Sequence, residues 1–298
     1  MFNMQRKEFI KVAGLTTLSI PMMSTLNKLE NITDSFESSK RMPVLFLGHG
    51  SPMNAIEDNE FVRAFKKQGQ QLDKPNAIIV VSAHWETNGT FVTAMQNPRT
   101  IHDFGGFPKA LYEVQYPAPG HPELAKEISE IVNPTGTVHL DDKWGLDHGA
   151  WTVIKHLFPD ADVPVIQLSL DYKMTPQQHY ELAQQLKKLR EKGVLIVGSG
   201  NMVHNLRKVD FRKINENYGY DWAIEADSKM KKWILEGNHQ NLIDFNKQGK
   251  AFNLAIPTPE HYLPLLYTLG LKDEKDNTTI FNDNPLGGSL TMTSVKFG

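Results

Sequence analysis

Cysteine is missing altogether from the 298 residues. Its absence excludes disulfides, iron–sulfur clusters, thiolate zinc sites and cysteine nucleophiles. A metal in this chain must be held by histidine, aspartate, glutamate or backbone oxygen. An excess of one charge is missing too: 32 Lys and Arg stand against 34 Asp and Glu, a formal net charge of −2. That balance gives no electrostatic reason to expect nucleic acid or an anionic membrane as a partner. No stretch reaches the roughly 18 apolar residues that a membrane-spanning helix needs. The glycines of Gly48-His-Gly50 and Gly198-Ser-Gly200 do not have the spacing of a phosphate-binding or dinucleotide-binding loop. No Gly-x-Ser-x-Gly elbow surrounds Ser51 or Ser199, and His-Glu-x-x-His does not occur.

What is present is a globular composition, 40% hydrophobic and 22% charged. A chain near this length removes about 75% of its unfolded surface from water, enough for a sizeable core. At the start, Arg6, Lys7 and Lys11 precede a mildly apolar run from Val12 to Met23, the order of an export signal. Arg6-Lys-Glu-Phe-Ile-Lys11 is similar to a twin-arginine signal, with Lys7 where the second arginine would stand. No clear small-x-small cleavage site follows. Residues 1–37 are therefore expected to be an export-signal-like segment or a weakly ordered tail, and residues 38–298 one domain. Export to the periplasm is the expectation, and a cytoplasmic location the alternative.

From Pro43 onward, strand-like and helix-like patterns alternate. Pro43–Leu47, Ala77–Ser82, Phe91–Met95, Val163–Leu170 and Val194–Val197 read as strands, and the alternation of Ser289–Phe297 suggests an edge strand. Helical spacing appears in Phe61, Ala64 and Phe65, and in Leu124, Ile128 and Ile131 after Pro122. It recurs in Leu182, Leu186 and Leu189 before Gly193, and in Trp222, Ala226, Met230 and Trp233. Tyr262–Leu269 reads as a short apolar helix capped by Gly270. This order predicts a single α/β domain with a mainly parallel or mixed central sheet flanked by helices.

The 11 histidines carry the functional signal through their placement. Pro43–Leu47 leads into Gly48-His49-Gly50, Ala77–Ser82 into Ala83-His84-Trp85-Glu86, and Val194–Val197 into a segment that reaches His204. Ligands bind at the carboxyl ends of strands in open α/β sheets, so His49, His84 and His204 are candidates to converge. His261 lies at the start of the last helix. A lone histidine after one strand is more often a hydrogen-bonded structural residue. Three near strand ends, each close to a small residue, favour a metal site, because neutral imidazole is the commonest metal ligand. His121, His139, His156, His179 and His239 read as solvated or structural.

Several ordered motifs, taken together, resemble the DODA-type extradiol aromatic ring-opening dioxygenases of the class III extradiol superfamily. They are Gly48-His-Gly-Ser-Pro-Met53, Ser82-Ala-His-Trp-Glu86, Thr100-Ile-His-Asp-Phe-Gly-Gly-Phe-Pro108 and Tyr116-Pro-Ala-Pro-Gly120, followed by Leu146-Asp-His-Gly-Ala-Trp151, Gly198-Ser-Gly-Asn-Met-Val-His-Asn-Leu206 and Pro259-Glu-His-Tyr-Leu-Pro-Leu265. The resemblance implies a metal site at the carboxyl ends of the strands, with His49, His84 and His261 as ligands. His204 would be a fourth ligand or the acid/base histidine, and His148 a second catalytic or substrate-contacting one. His102 and Asp103 would line the pocket, and Phe104, Phe107, Trp85 and Trp151 are candidates to wall an aromatic slot.

The same resemblance implies one divalent ion, Zn(2+) or Fe(2+), with O2 as co-substrate and a catechol, DOPA-like, as the small-molecule substrate. Ring opening beside the diol would give a muconic semialdehyde. Proton transfer falls to His204 first and His148 second. Two other readings stay open at this stage: a zinc-dependent hydrolase, and a non-catalytic metal-binding or partner-binding member of the superfamily.

Overall fold

The computed structural model describes residues 40–132, 137–214 and 216–298. The signal-like reading of residues 1–37 and the domain boundary at residue 38 lie outside the described residues. In chain order the elements begin with β1 (Val44–Gly48), α1 (Glu60–Gln71), β2 (Ala77–Thr87), β3 (Thr90–Thr93), α2 (Lys109–Tyr112) and α3 (Pro122–Val132). Then come β4 (Val138–Asp141), α4 (His148–Leu157), β5 (Val165–Asp171), α5 (Pro176–Gln185), β6 (Val194–Gly200) and α6 (Asp221–Glu236). The last are α7 (His239–Ile243), α8 (Lys250–Ala255), α9 (Leu263–Leu271), β7 (Thr278–Phe281), β8 (Pro285–Leu286), β9 (Leu290–Thr291) and β10 (Ser294–Phe297).

Eight strands form one mixed sheet in the order β4-β3-β5-β2-β6-β1-β10-β7. The central four, β5, β2, β6 and β1, run parallel, while β10 and β7 add antiparallel strands beyond β1. The central strands are apolar without a break because both sheet faces are covered. Alternate residues divide between two cores: Val44, Phe46, Ile79, Val81 and Ile196 on one face, Leu45, Leu47, Ile78, Val80 and Val197 on the other. The first face is covered by α3, α5, α6, α8 and α9, the second by α1 and α4. Among the described residues, no helix is long and apolar enough to cross a membrane.

Three local expectations are corrected. Ser289–Phe297 is not an edge strand: it breaks into β9 and β10, and β10 is flanked by β1 and β7. Gly270 does not cap the last helix but lies inside it, where an added Cβ would sit 2.5 Å from Tyr180 O on the neighbouring α5. His84 does not follow β2 but lies within it. Of the two readings given for His179, the structure has the structural one: it is fully buried, with Nδ1 3.1 Å from the Tyr267 hydroxyl.

Candidate metal centre

The site lies where β1, β2 and β6 end, and small residues make the room. β1 and β6 pair in register down to Gly48 and Gly200, and His49 N then donates to Gly200 O (3.1 Å). The His49 side chain is 2% exposed. Its Nδ1 lies 3.0 Å from Ser199 Oγ on β6, and that hydroxyl donates to Gly149 O. A hydroxyl has one proton, and a carbonyl only accepts. Ser199 must therefore accept from His49 Nδ1–H, which leaves His49 Nε2 a bare lone pair.

His84 is brought in by an irregularity in β2. Between the pairs Val81–Leu168 and Glu86–Leu170, β2 advances five residues while β5 advances two. Such a bulge re-aims side chains. Here it turns His84 Nε2 to within 3.1 Å of His49 Nε2. Gly149 faces this bulge, and a Cβ there would lie 2.5 Å from Ser82 Oγ and 2.8 Å from His84 Cδ2. Asp147, buried at the N-cap of α4, braces the same region: its carboxylate accepts from Ser82 Oγ (2.7 Å), Gln167 Nε2 (2.7 Å) and Ala150 N (3.0 Å).

His148, the first residue of α4, stacks toward His84 with ring centroids 3.8 Å apart. Asp103 serves both rings. Its Oδ2 lies 2.9 Å from His148 Nδ1 and 3.8 Å from His84 Nδ1, and its Oδ1 accepts from His148 N (2.8 Å).

His261 arrives from the segment before α9. Asn201 N donates to His261 O (2.8 Å), and Gly200 leaves space for that approach. Its Nδ1 lies 3.2 Å from Glu260 Oε1, which also accepts from Thr258 Oγ1. The His261 ring centroid is 5.3 Å from that of His49 and 5.0 Å from that of His84. His204 lies flat against it, at 3.5 Å and an interplanar angle of 11°.

Five histidines thus cluster together, in two adjacent donor groups that share no residue. Ligand atoms of His49, His84 and His148 lie within 4.8 Å of one another, as do those of His204, Glu260 and His261. The chemistry of this set fits a divalent ion. Burial and mutual repulsion push His49 and His261 well below the ordinary imidazole range. Burial, then His148, pushes His84 down to about 3 against the pull of Asp103. Burial pushes His204 down to about 4 against Glu260. These four rings are neutral at pH 7, the form a metal binds. Two nitrogens on one ion with bonds of about 2.0–2.1 Å sit about 2.9–3.4 Å apart, the range of the His49–His84 separation. Nδ1 partners such as Ser199 and Glu260 are the outer contacts that orient metal-binding histidines. Burial pushes Asp103 up, but His148 outweighs it and holds the carboxyl below its ordinary range.

Around this pocket, Phe104 packs edge-on to His148 (5.6 Å), with Phe107 and Tyr112 against it (5.3 and 5.1 Å). His102 is tied by Nε2 to Val114 O (2.9 Å) and touches Phe104 and Trp151 rather than the histidine cluster. Trp85 is buried and stacks on Trp144 (5.6 Å, 3°). Trp151 is buried and donates to Ile101 O. Gln167 and Tyr112 were not singled out from the sequence, and Ser199 and Asp147, though inside the motifs, were given no role there. Gln167 carried a signal, as a polar residue inside the apolar run Val165–Leu170.

A mixed α/β sheet with a histidine-lined pocket at its carboxyl ends defines a metalloenzyme-like class. Residues 43–292 match the family described as the catalytic LigB subunit of aromatic ring-opening dioxygenase. The chain is 46% identical over 270 residues to the 4,5-DOPA dioxygenase extradiol of Escherichia coli K12, covering 90% of this chain and 98% of that one. It is 36% identical over 257 residues to the protein of the same name from Beta vulgaris, covering 85% and 95%. A crystal structure of an uncharacterized Escherichia coli K12 protein superposes with a TM-score of 0.73 at 41% identity, covering 87% of this chain and 100% of that one. The chain belongs to this LigB family and is an oxidoreductase of the ring-opening dioxygenase class.

Proposed function

We propose that this enzyme opens a catechol, DOPA-like in its side chain, at the bond beside the diol, giving a muconic semialdehyde. One ring carbon–carbon bond breaks, both atoms of O2 enter the product, and no outside reductant is needed. The observation that carries this reading is the convergence of buried histidines, two of which, His49 and His261, spend Nδ1 on Ser199 and Glu260 and leave Nε2 for an ion. The names of the two relatives support the DOPA-like side chain.

His49, His84 and His261 would hold one divalent ion, Fe(2+) or Zn(2+), and His204 stands beside them. When bound, the ion acidifies the catechol hydroxyls and supplies the chemistry toward oxygen. The chain's own residues position the ring and handle protons. Phe104, with Phe107 and Tyr112 behind it, offers an aromatic wall next to His148. Of the two proton carriers, His148 is better placed than His204. Its Nδ1 faces the Asp103 carboxylate, so Nε2 is the atom that takes the hydroxyl proton, whereas His204 is stacked on His261.

The test is anaerobic loading with iron or zinc, then catechols followed by oxygen electrode and by absorbance of the yellow product. Oxygen uptake matched by product supports the reading. Silence under ferrous loading, with ester or amide cleavage under zinc, overturns it in favour of a hydrolase. His49→Ala and His84→Ala should lose metal and activity together; full metal content in either variant removes that residue from the ligand set.

A further inference from the structure

We propose that Asp103 is a positioning residue, not a substrate contact. It holds His148 with Nδ1–H turned outward and Nε2 turned into the site. The kinetic consequence rests on the dioxygenase reading above; the geometry does not.

One oxygen of Asp103 is hydrogen-bonded, and the other lies beside His148 Nδ1, a buried nitrogen with no other partner. Oδ1 accepts from His148 N, and Oδ2 faces His148 Nδ1 at 2.9 Å. The side chain is only 18% exposed. A carboxylate only accepts and repels a facing lone pair, so at 2.9 Å it favours the proton on the imidazole nitrogen beside it. That assigns His148 the Nδ1–H tautomer and leaves its Nε2 as a bare base. Asp147, one residue from His148, does not take this role: it spends its oxygens on Ser82, Ala150 N and Gln167. The residues beside Asp103 hold it in place. His102 is tied to Val114 O, and Phe104 packs on the His148 ring. Three consecutive residues therefore set the position, tautomer and apolar flank of one imidazole.

Asp103→Asn tests this because the shape is kept. The remaining oxygen still accepts from His148 N, but an amide nitrogen now donates toward Nδ1. In metal-free wild-type protein, histidine nitrogen–proton correlation spectra should show the His148 signal, assigned by its loss in His148→Ala, as the Nδ1–H tautomer. In Asp103→Asn it should change to Nε2–H. Metal content and thermal midpoint should stay at wild-type values. In the loaded enzyme, kcat should fall by about 10² to 10⁴-fold with KM changed less than about threefold. In a His148→Ala background the same substitution should cost no more than about twofold, since a residue acting through another is not additive with it.

An Nε2–H tautomer in the wild type overturns the proposal, and so does wild-type kcat in Asp103→Asn. So does a KM rise of about tenfold at constant kcat, which makes Asp103 the substrate contact, or a further loss of about tenfold in the His148→Ala background. The tautomer measurement needs no turnover, so its outcome is separate from whether the enzyme opens catechols.

Discussion

A serine with one proton decides the state of the most buried histidine in the pocket. Because Ser199 Oγ gives its proton to Gly149 O, it accepts from His49 Nδ1 and leaves Nε2 bare. Ser199→Ala removes that acceptor and lets the ring flip or change tautomer. The expected result is a loss of about 10 to 100-fold in metal affinity with the fold retained, since outer partners of metal-binding histidines are worth about that much. Competition with a chromogenic chelator measures it; unchanged affinity would return Ser199 to packing alone. Ser199 was in view as part of a motif, but its role was not legible in the sequence, for a physical reason. His49, His84 and His204 announce themselves by following or lying in apolar strand runs. The partner that fixes a tautomer is defined by cross-strand register, here Leu47 beside Ser199 and Gly48 beside Gly200. The contact of Asp147 with Gln167 is hidden in the same way, since it joins the start of α4 to the middle of β5. Asp103 was visible as part of a motif, but its place against His148 was not.

Two glycines let the segment before α9 deliver His261. A Cβ at Gly200 would lie 2.1 Å from His261 O, and one at Gly198 would lie 2.4 Å from Pro264 O. Both obstacles are backbone, so no side-chain rotation relieves them. Gly200→Ala should therefore push the segment outward, costing about 1–3 kcal/mol as other overpacking substitutions do, and should weaken metal retention. The thermal midpoint and metal analysis check this. Gly105→Ala is the stability control, because a Cβ there meets nothing within 4 Å. Wild-type stability and metal content in Gly200→Ala would show that the segment yields freely. At this scale the long apolar strands were legible because burial on both faces forces continuous β-branched runs, as in Ile78–Val81. β4 and β7 were not, since each is four residues long, lies at a sheet edge and carries polar residues. The bulge in β2 was hidden too, because the excess residues Ser82–Trp85 are defined only by counting against β5. Gly270 misled because a glycine near a helix end signals a cap, while here it admits the neighbouring helix.

Across the whole molecule, one buried ion pair ties the start of the sheet to its end. Arg190, 0% exposed, donates to Met42 O, Leu271 O and the Asp276 carboxylate, and Arg41 donates to Asp276 from the other side. The entry to β1, the end of α9 and the approach to β7 are thereby joined through residues 86 apart in sequence, a pairing that no local pattern encodes. Removing one partner of a buried pair leaves an uncompensated charge and costs about 3–5 kcal/mol. Asp276→Asn should show a loss of that size at pH 7 by equilibrium denaturation. The pH dependence has a definite sign. Burial would raise the Asp276 carboxyl, but hydrogen bonds from Arg41 and Arg190 hold it well below the ordinary carboxylate range. A group whose folded pKa is depressed stabilises the fold above its unfolded pKa, about 3.9 for Asp, and that contribution is lost as pH falls toward the folded value. The gap between wild type and Asp276→Asn should therefore be constant from about pH 7 to 5 and begin to close below about pH 4. A gap that closes already between pH 7 and 5 would mean that the carboxylate is not held by the two arginines. A gap absent at pH 7 would mean that Arg190 finds enough backbone acceptors without it.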